Sequence, residues 1–190
     1  MNAPTSTAPV CAPGEVAVDS YAETFANGPS AGWARTSPTG ANVFYWATEP
    51  NPFGFDADYS PAGDGNLWGD DPATLSDTAI AMTTSVTVPA QGAHLRMRHA
   101  YGFDDTPSRR YDGGVLEYST NAGATWADAG PLMTEGGYPD TISSGAGVGN
   151  PLGSRPAFVR ESNGYGVTRL DLSSLAGQQV RFRLRIGTGP

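Results

Sequence analysis

Lysine is missing from this chain: all 11 basic residues are arginine, set against 19 acidic residues for a formal net charge of −8. Nucleic-acid binding needs a basic footprint that neutralises phosphates, so this balance argues against it. Cys11 is the single cysteine, which rules out a disulfide within the chain. Histidine occurs twice, at His94 and His99. Five positions apart in an alternating segment, the two fall on opposite faces of a strand. They cannot converge on one zinc, and the paired histidines of a zinc-peptidase helix are missing. No run of 18 apolar residues exists to cross a membrane as a helix. The opening MNAPTSTAPVC has neither the basic start nor the long apolar stretch of a signal peptide.

What the chain does have is 25 glycines, 16 prolines and 10% aromatic residues, with 38% apolar residues overall. That mixture suits short strands joined by tight turns, since disordered chains are poor in aromatic and β-branched residues. Residues 1–14, rich in Ala, Pro and Thr, read as a linker, and 15–190 as one domain. Strands are expected at Val16–Phe25, Val43–Trp46, Thr78–Val88, His94–Phe103, Gly114–Ser119, Thr125–Ala129, Ala157–Arg160, Gly166–Leu172 and Gln179–Ile186. Residues 48–77 and 130–155 form long Gly-rich connections. In His94–Phe103, Leu95, Met97, His99, Tyr101 and Phe103 share a face. In the last strand Val180, Phe182, Leu184 and Ile186 point inward, and Arg181, Arg183 and Arg185 outward. The single helix-like stretch, Leu172–Leu175, is one turn. Alternating strands without an amphipathic helix predict an all-β, antiparallel sandwich.

Two catalytic-looking motifs fail on inspection. Gly28-Pro29-Ser30-Ala31-Gly32 matches the nucleophile-elbow pattern by letters, but no helix follows the serine as that turn requires. Asp56-Ala57-Asp58 begins like an EF-hand loop, yet Pro61 stands where glycine is needed and Leu67 where the bidentate glutamate belongs. Acidic residues nevertheless crowd two loops: Asp56, Asp58, Asp64, Asp70, Asp71 and Asp77 in one, Asp104, Asp105 and Asp112 in the other. Carboxylates so placed either cap turns or bind a hard cation such as calcium. Arg181, Arg183 and Arg185, with Arg96 and Arg98 on another strand, either face an anionic surface or pair across strands with Glu117 or Asp171. Aromatic rings offer flat apolar faces to sugars. Trp33, Trp68 and Trp126 are assigned to the core, and Tyr138 and Tyr165, in Gly-rich loops, to an exposed ligand-binding role.

The segments YDGGVLEYSTNAGATW (111–126), GGYPDTI (136–142), NPLGSRPAFV (150–159) and LAGQQVRFRLRIGT (175–188), with ETFANGPSAGW (23–33) and LWGDDPATLSDTAIAM (67–82), resemble the MAM-like β-sandwich appended to secreted bacterial metallopeptidases of the fungalysin and immune-inhibitor type. The resemblance covers about residues 20–189. It implies a jelly-roll-like sandwich, secretion, and a non-catalytic accessory role: stabilising, docking or adhering a parent enzyme. The partners are then the parent-chain catalytic domain or an extracellular protein or polysaccharide, and a carbohydrate-binding module is the alternative reading.

The resemblance also places calcium, a structural ion in related domains, on the best-matched segments: Asp70, Asp71, Asp77 and Asp112. Two of the pattern's acidic places are changed here, to Ala26 and Gly189. The pattern continues into a further strand after this point, so a C-terminal truncation is expected, leaving either a monomer or edge-mediated association.

Overall fold

The computed structural model describes residues 11–26, 28, 30–39, 44–47, 65–145 and 147–190. Fifteen strands run along the described chain, and every pairing between them is antiparallel. They are β1 (Trp33–Thr39), β2 (Phe44–Ala47), β3 (Asn66–Gly69), β4 (Ser76–Met82), β5 (Val86–Thr87), β6 (His94–His99), β7 (Asp105–Thr106) and β8 (Arg109–Arg110). After these come β9 (Gly113–Ser119), β10 (Ala127–Asp128), β11 (Met133–Glu135), β12 (Asp140–Thr141), β13 (Pro156–Ala157), β14 (Gly166–Asp171) and β15 (Gln179–Thr188). Helical structure among the described residues is limited to two three-residue 3-10 turns, Gly130–Leu132 and Ser173–Leu175. The fold is an all-β sandwich.

The larger sheet has the order β1-β4-β15-β9-β10, with β5 also joined to β15; the smaller has β11-β14-β6. β15 is the central strand, and its alternation sets the layers. Val180, Phe182 and Ile186 are buried on one face, with Thr78, Ile80 and Met82 of β4 beside them. That face meets the smaller sheet through Leu116, Leu170, Leu172 and Leu175. Burying each such apolar side chain is worth roughly 1.5–3 kcal/mol, so this interface is the main source of stability. The hairpin of β2 and β3 closes one region, where Phe44 packs on Ile80 and Ile186.

A third layer covers part of the sheet's other face. Val115 alternates with Leu116 on β9 and so points away from the main core, onto Ile142, Leu152, Ala157 and Val159. The segment that supplies these residues, 138–159, approaches closely because Gly113 and Gly187 sit opposite each other across β9 and β15. A Cβ at Gly113 would come within 2.9 Å of Ile142 and Val159, and one at Gly187 within 2.8 Å of Leu152.

Some expectations need correction. Val16–Phe25 is not a strand: Val16 and Val18 are 85% and 84% exposed, and no strand among the described residues pairs with them. The first strand among the described residues is β1, in a segment where no strand was expected. Its polar Arg35 and Thr36 and the Pro38 that cannot donate to a ladder hide the pattern, and the register shifts between Thr36 and Thr39. The stretch expected as one strand, Thr78–Val88, divides into β4 and β5. Of the linker only residues 11–14 are described, and Asp56, Asp58 and Asp64 lie outside the described residues.

Candidate functional site

Four of the motifs that carried the family resemblance, 111–126, 136–142, 150–159 and 175–188, meet in space at the third layer. Asn150 donates from Nδ2 to the carbonyls of Tyr111 and Gly187, both at 2.7 Å, and accepts the Leu152 N–H on Oδ1 at 2.7 Å. The Asp112 carboxylate accepts the Gly189 N–H at 2.7 Å. Glu117, 3% exposed on β9, receives Arg155 of the covering segment at 2.7 Å and Arg183 of β15 at 2.5 Å. Arg155 also reaches Asp128 at 2.7 Å. Arg183 lies over the Trp126 ring, 4.5 Å from its centroid. Charge-assisted bonds of this kind pin the covering segment to the sheet.

Tyr138 takes part in the same work. Beyond the two residues of β10, the outer edge of β9 needs other partners, and the Ala129 N–H supplies one by donating to the Leu116 carbonyl at 3.0 Å. The Tyr138 hydroxyl donates to the Leu116 carbonyl and accepts the Leu116 N–H, each at 3.0 Å. Phe158 completes the edge by exchanging two backbone bonds with Gly114. Burial, with the nearby Asp128 carboxylate, pushes the Tyr138 hydroxyl above its ordinary range. Tyr138 is not the exposed loop ring that was expected: it is half-buried, its ring packs on Phe158 at 4.9 Å and its oxygen is engaged. Tyr165 is half-buried on the approach to β14, with the Arg98 guanidinium 5.8 Å from its ring centroid.

The four carboxylates proposed for calcium separate into two groups. Asp77 forms a two-bond pair with Arg185, both contacts at 2.7 Å, so it is engaged elsewhere. Asp71 accepts the Asp104 N–H at 3.1 Å. Burial pushes Asp71 up to about 7, reinforced by the Asp112, Asp70 and Asp104 carboxylates and opposed by that N–H. Burial likewise raises Asp112 to about 6, with Asp104 adding to the rise and the Gly189 N–H opposing it. Asp70 is raised by burial. These groups sense each other's charge, but among the described residues no three His, Cys, Asp or Glu side chains gather closely enough to hold a metal ion. The set therefore does not fit calcium as a four-carboxylate cage.

A cavity of about 120 Å³ opens beside the smaller sheet, lined by His99, Tyr101, Phe158, Ser162, Gly136 and Gly166 among others. Thr168 donates to the Gly136 carbonyl at 2.6 Å, so its oxygen accepts from His99 Nε2 at 2.8 Å. That fixes the tautomer and leaves Nδ1 as the ring's acceptor. Burial lowers His99 to about 4, so the imidazole is neutral at neutral pH. The ring stands 4.5 Å from Phe158 and 5.5 Å from Tyr101.

The Arg stripe divides as well. Arg183 and Arg185 pair with Glu117 and Asp77, as cross-strand pairing requires. On β6 neither Arg96 nor Arg98 has an ion pair among the described residues. Sequence reasoning did not single out Asn150 or Arg155; their place in the NPLGSR segment was the available signal. Compared with known proteins, the chain matches no family model, no curated protein and no solved structure.

Proposed function

We propose that this chain is a non-catalytic accessory domain, a jelly-roll-like sandwich that docks or braces a larger secreted protein, on the resemblance a bacterial metallopeptidase. One observation carries the reading. The polar residues of the distinctive motifs, Asp112, Glu117, Tyr138, Asn150 and Arg155, bind one another or the sheet backbone and so work as internal fastenings. Residues held this way build a rigid body, and function falls to the surfaces that body presents. The test is retention of the purified chain on insoluble collagen, cellulose, chitin and cross-linked polygalacturonate. Retention on one of these without its hydrolysis supports docking; passage through all four, or turnover of any, overturns it.

A second reading, carbohydrate binding, is favoured by the His99–Tyr101–Phe158 cavity. Its size suits part of one sugar ring, and it combines aromatic faces with hydroxyl and imidazole groups. A Cβ at Gly166 would meet nothing within 4 Å, so Gly166→Leu fills the opening without a clash on the backbone. Loss of glycan retention in Gly166→Leu with an unchanged Tm supports this reading. Retention equal to the parent chain overturns it.

A further inference from the structure

We propose that the outer face of β6 and β14 binds an acidic polysaccharide, a polymer of carboxylate- or sulfate-bearing sugars. This rests on the docking reading above and names the docked material.

On β6 the side chains alternate, with Leu95, Met97 and His99 half-buried and His94, Arg96 and Arg98 exposed. Arg96 lies directly opposite Arg169 of β14, and Arg98 opposite Val167. Like charges placed opposite each other across two strands destabilise a sheet. Arg169 is drawn to Glu135 at 3.6 Å, but Arg96 has no hydrogen bond or ion pair among the described residues. Among the described residues Arg98 has only the Tyr165 ring.

The contrast with the remaining arginines sharpens the point. Arg110, Arg155, Arg160, Arg183 and Arg185 all reach carboxylates. Arg181 reaches Ser85 at 3.1 Å and Arg35 the Phe44 carbonyl at 3.0 Å; the exposed Arg109 of β8 stands singly, with no side-chain hydrogen bond or ion pair among the described residues. In a chain with an acidic excess, two neighbouring guanidiniums on one edge strand are left to an external anion.

The geometry selects the kind of anion. Positions i and i+2 on a strand are roughly 6.5 Å apart, and β6 is an edge, so the two cations form a short flat row open on one side. An extended polymer fits such a row. Guanidinium forks hold carboxylate and sulfate groups by paired hydrogen bonds. The Tyr165 ring beside Arg98 adds a surface for the CH face of a sugar. A bilayer fits less well. The large exposed apolar side chains among the described residues are Val16, Val18, Tyr21 and Leu75, and none lies on β6 or β14.

The test is binding of the chain to soluble polygalacturonate and dextran sulfate, with neutral dextran as control. The expected result is binding to the two acidic polymers at low salt that weakens as salt rises to about 0.15 M. The pair Arg96→Ser and Arg98→Ser weakens it by about tenfold or more. Arg109→Ser, an exposed arginine on β8, serves as a charge control and leaves it within roughly twofold. An unchanged Tm for the double variant shows that the fold is intact. Equal binding by the double variant, binding to neutral dextran, or binding only to phosphatidylglycerol vesicles overturns the proposal, as does no binding at low salt. Retention on insoluble collagen, cellulose or chitin that survives the double substitution overturns this face alone and leaves docking standing.

Discussion

One hydroxyl holds the β9 edge. Tyr138 serves Leu116 as donor and acceptor together, in place of a strand residue. Tyr138→Phe keeps the ring packing and orphans the Leu116 N–H, while the Leu116 carbonyl keeps the Ala129 N–H at 3.0 Å, so a loss of about 1–3 kcal/mol is expected by denaturant unfolding. A change inside error would mean water satisfies Leu116 equally well. At His99 the sign of the pH dependence runs one way. Its folded value, about 4, lies below the ordinary 6.5, so the unfolded chain binds more protons between those values. Stability from this residue is complete above about pH 6.5 and is lost as pH falls toward 4. His99→Gln is expected to flatten that acid limb in Tm against pH; an unchanged limb would clear His99 of responsibility.

At the scale of elements, the covering segment 138–159 depends on Glu117. Its carboxylate faces three guanidiniums, Arg155, Arg183 and Arg185, at 2.7, 2.5 and 3.6 Å. Glu117→Gln leaves those cations half-buried and short of a counter-charge, at a cost of about 3 kcal/mol. The loss should appear first as earlier hydrogen exchange in residues 142–159; uniform exchange throughout would show that the segment is not a separate unit. This layer is also where the sequence was least legible. Strands with clean alternation, β6, β9, β14 and β15, stand close to where their pattern placed them. β1 was hidden by polar residues and a proline. The long connection 130–155 reads as a loop because its packing residues, Ile142 and Leu152, follow no period. They meet a sheet face whose arginines looked outward from alternation alone. Alternation assigns the two faces of a strand; it does not say that both are covered. The candidate site was legible in the same partial way: Asp71 and Asp112 come within electrostatic reach, whereas Asp77 and Tyr138 were engaged by partners that sequence spacing does not reveal.

For the molecule as a whole, the buried acids set a pH profile opposed to that of His99. Asp71 and Asp112 have folded values of about 7 and about 6, above the ordinary 3.8. The folded chain therefore binds more protons than the unfolded chain between about pH 4 and pH 7, and their contribution to stability falls as pH rises through that window. With His99 acting oppositely below pH 6.5, the two effects oppose each other from about 4 to 6.5, and above it the acids act alone. The expected profile is a Tm that declines from about pH 6 to pH 7.5. Asp71→Asn, which keeps an oxygen for the Asp104 N–H and removes the charge, should raise Tm at pH 7.5 and leave it nearly unchanged at pH 4. A decline that persists in this variant would place the acidic burden elsewhere in the −8 chain. Repeating the melts with calcium then separates repulsion from ligation. A rise at pH 7.5 that Asp71→Asn abolishes assigns a bound ion to this nest, because a ligand of the folded state stabilises it by mass action. A rise equal to that from sodium chloride of matched ionic strength is screening, and the carboxylates then remain mutually repelling groups held in place by Gly189 and Asp104.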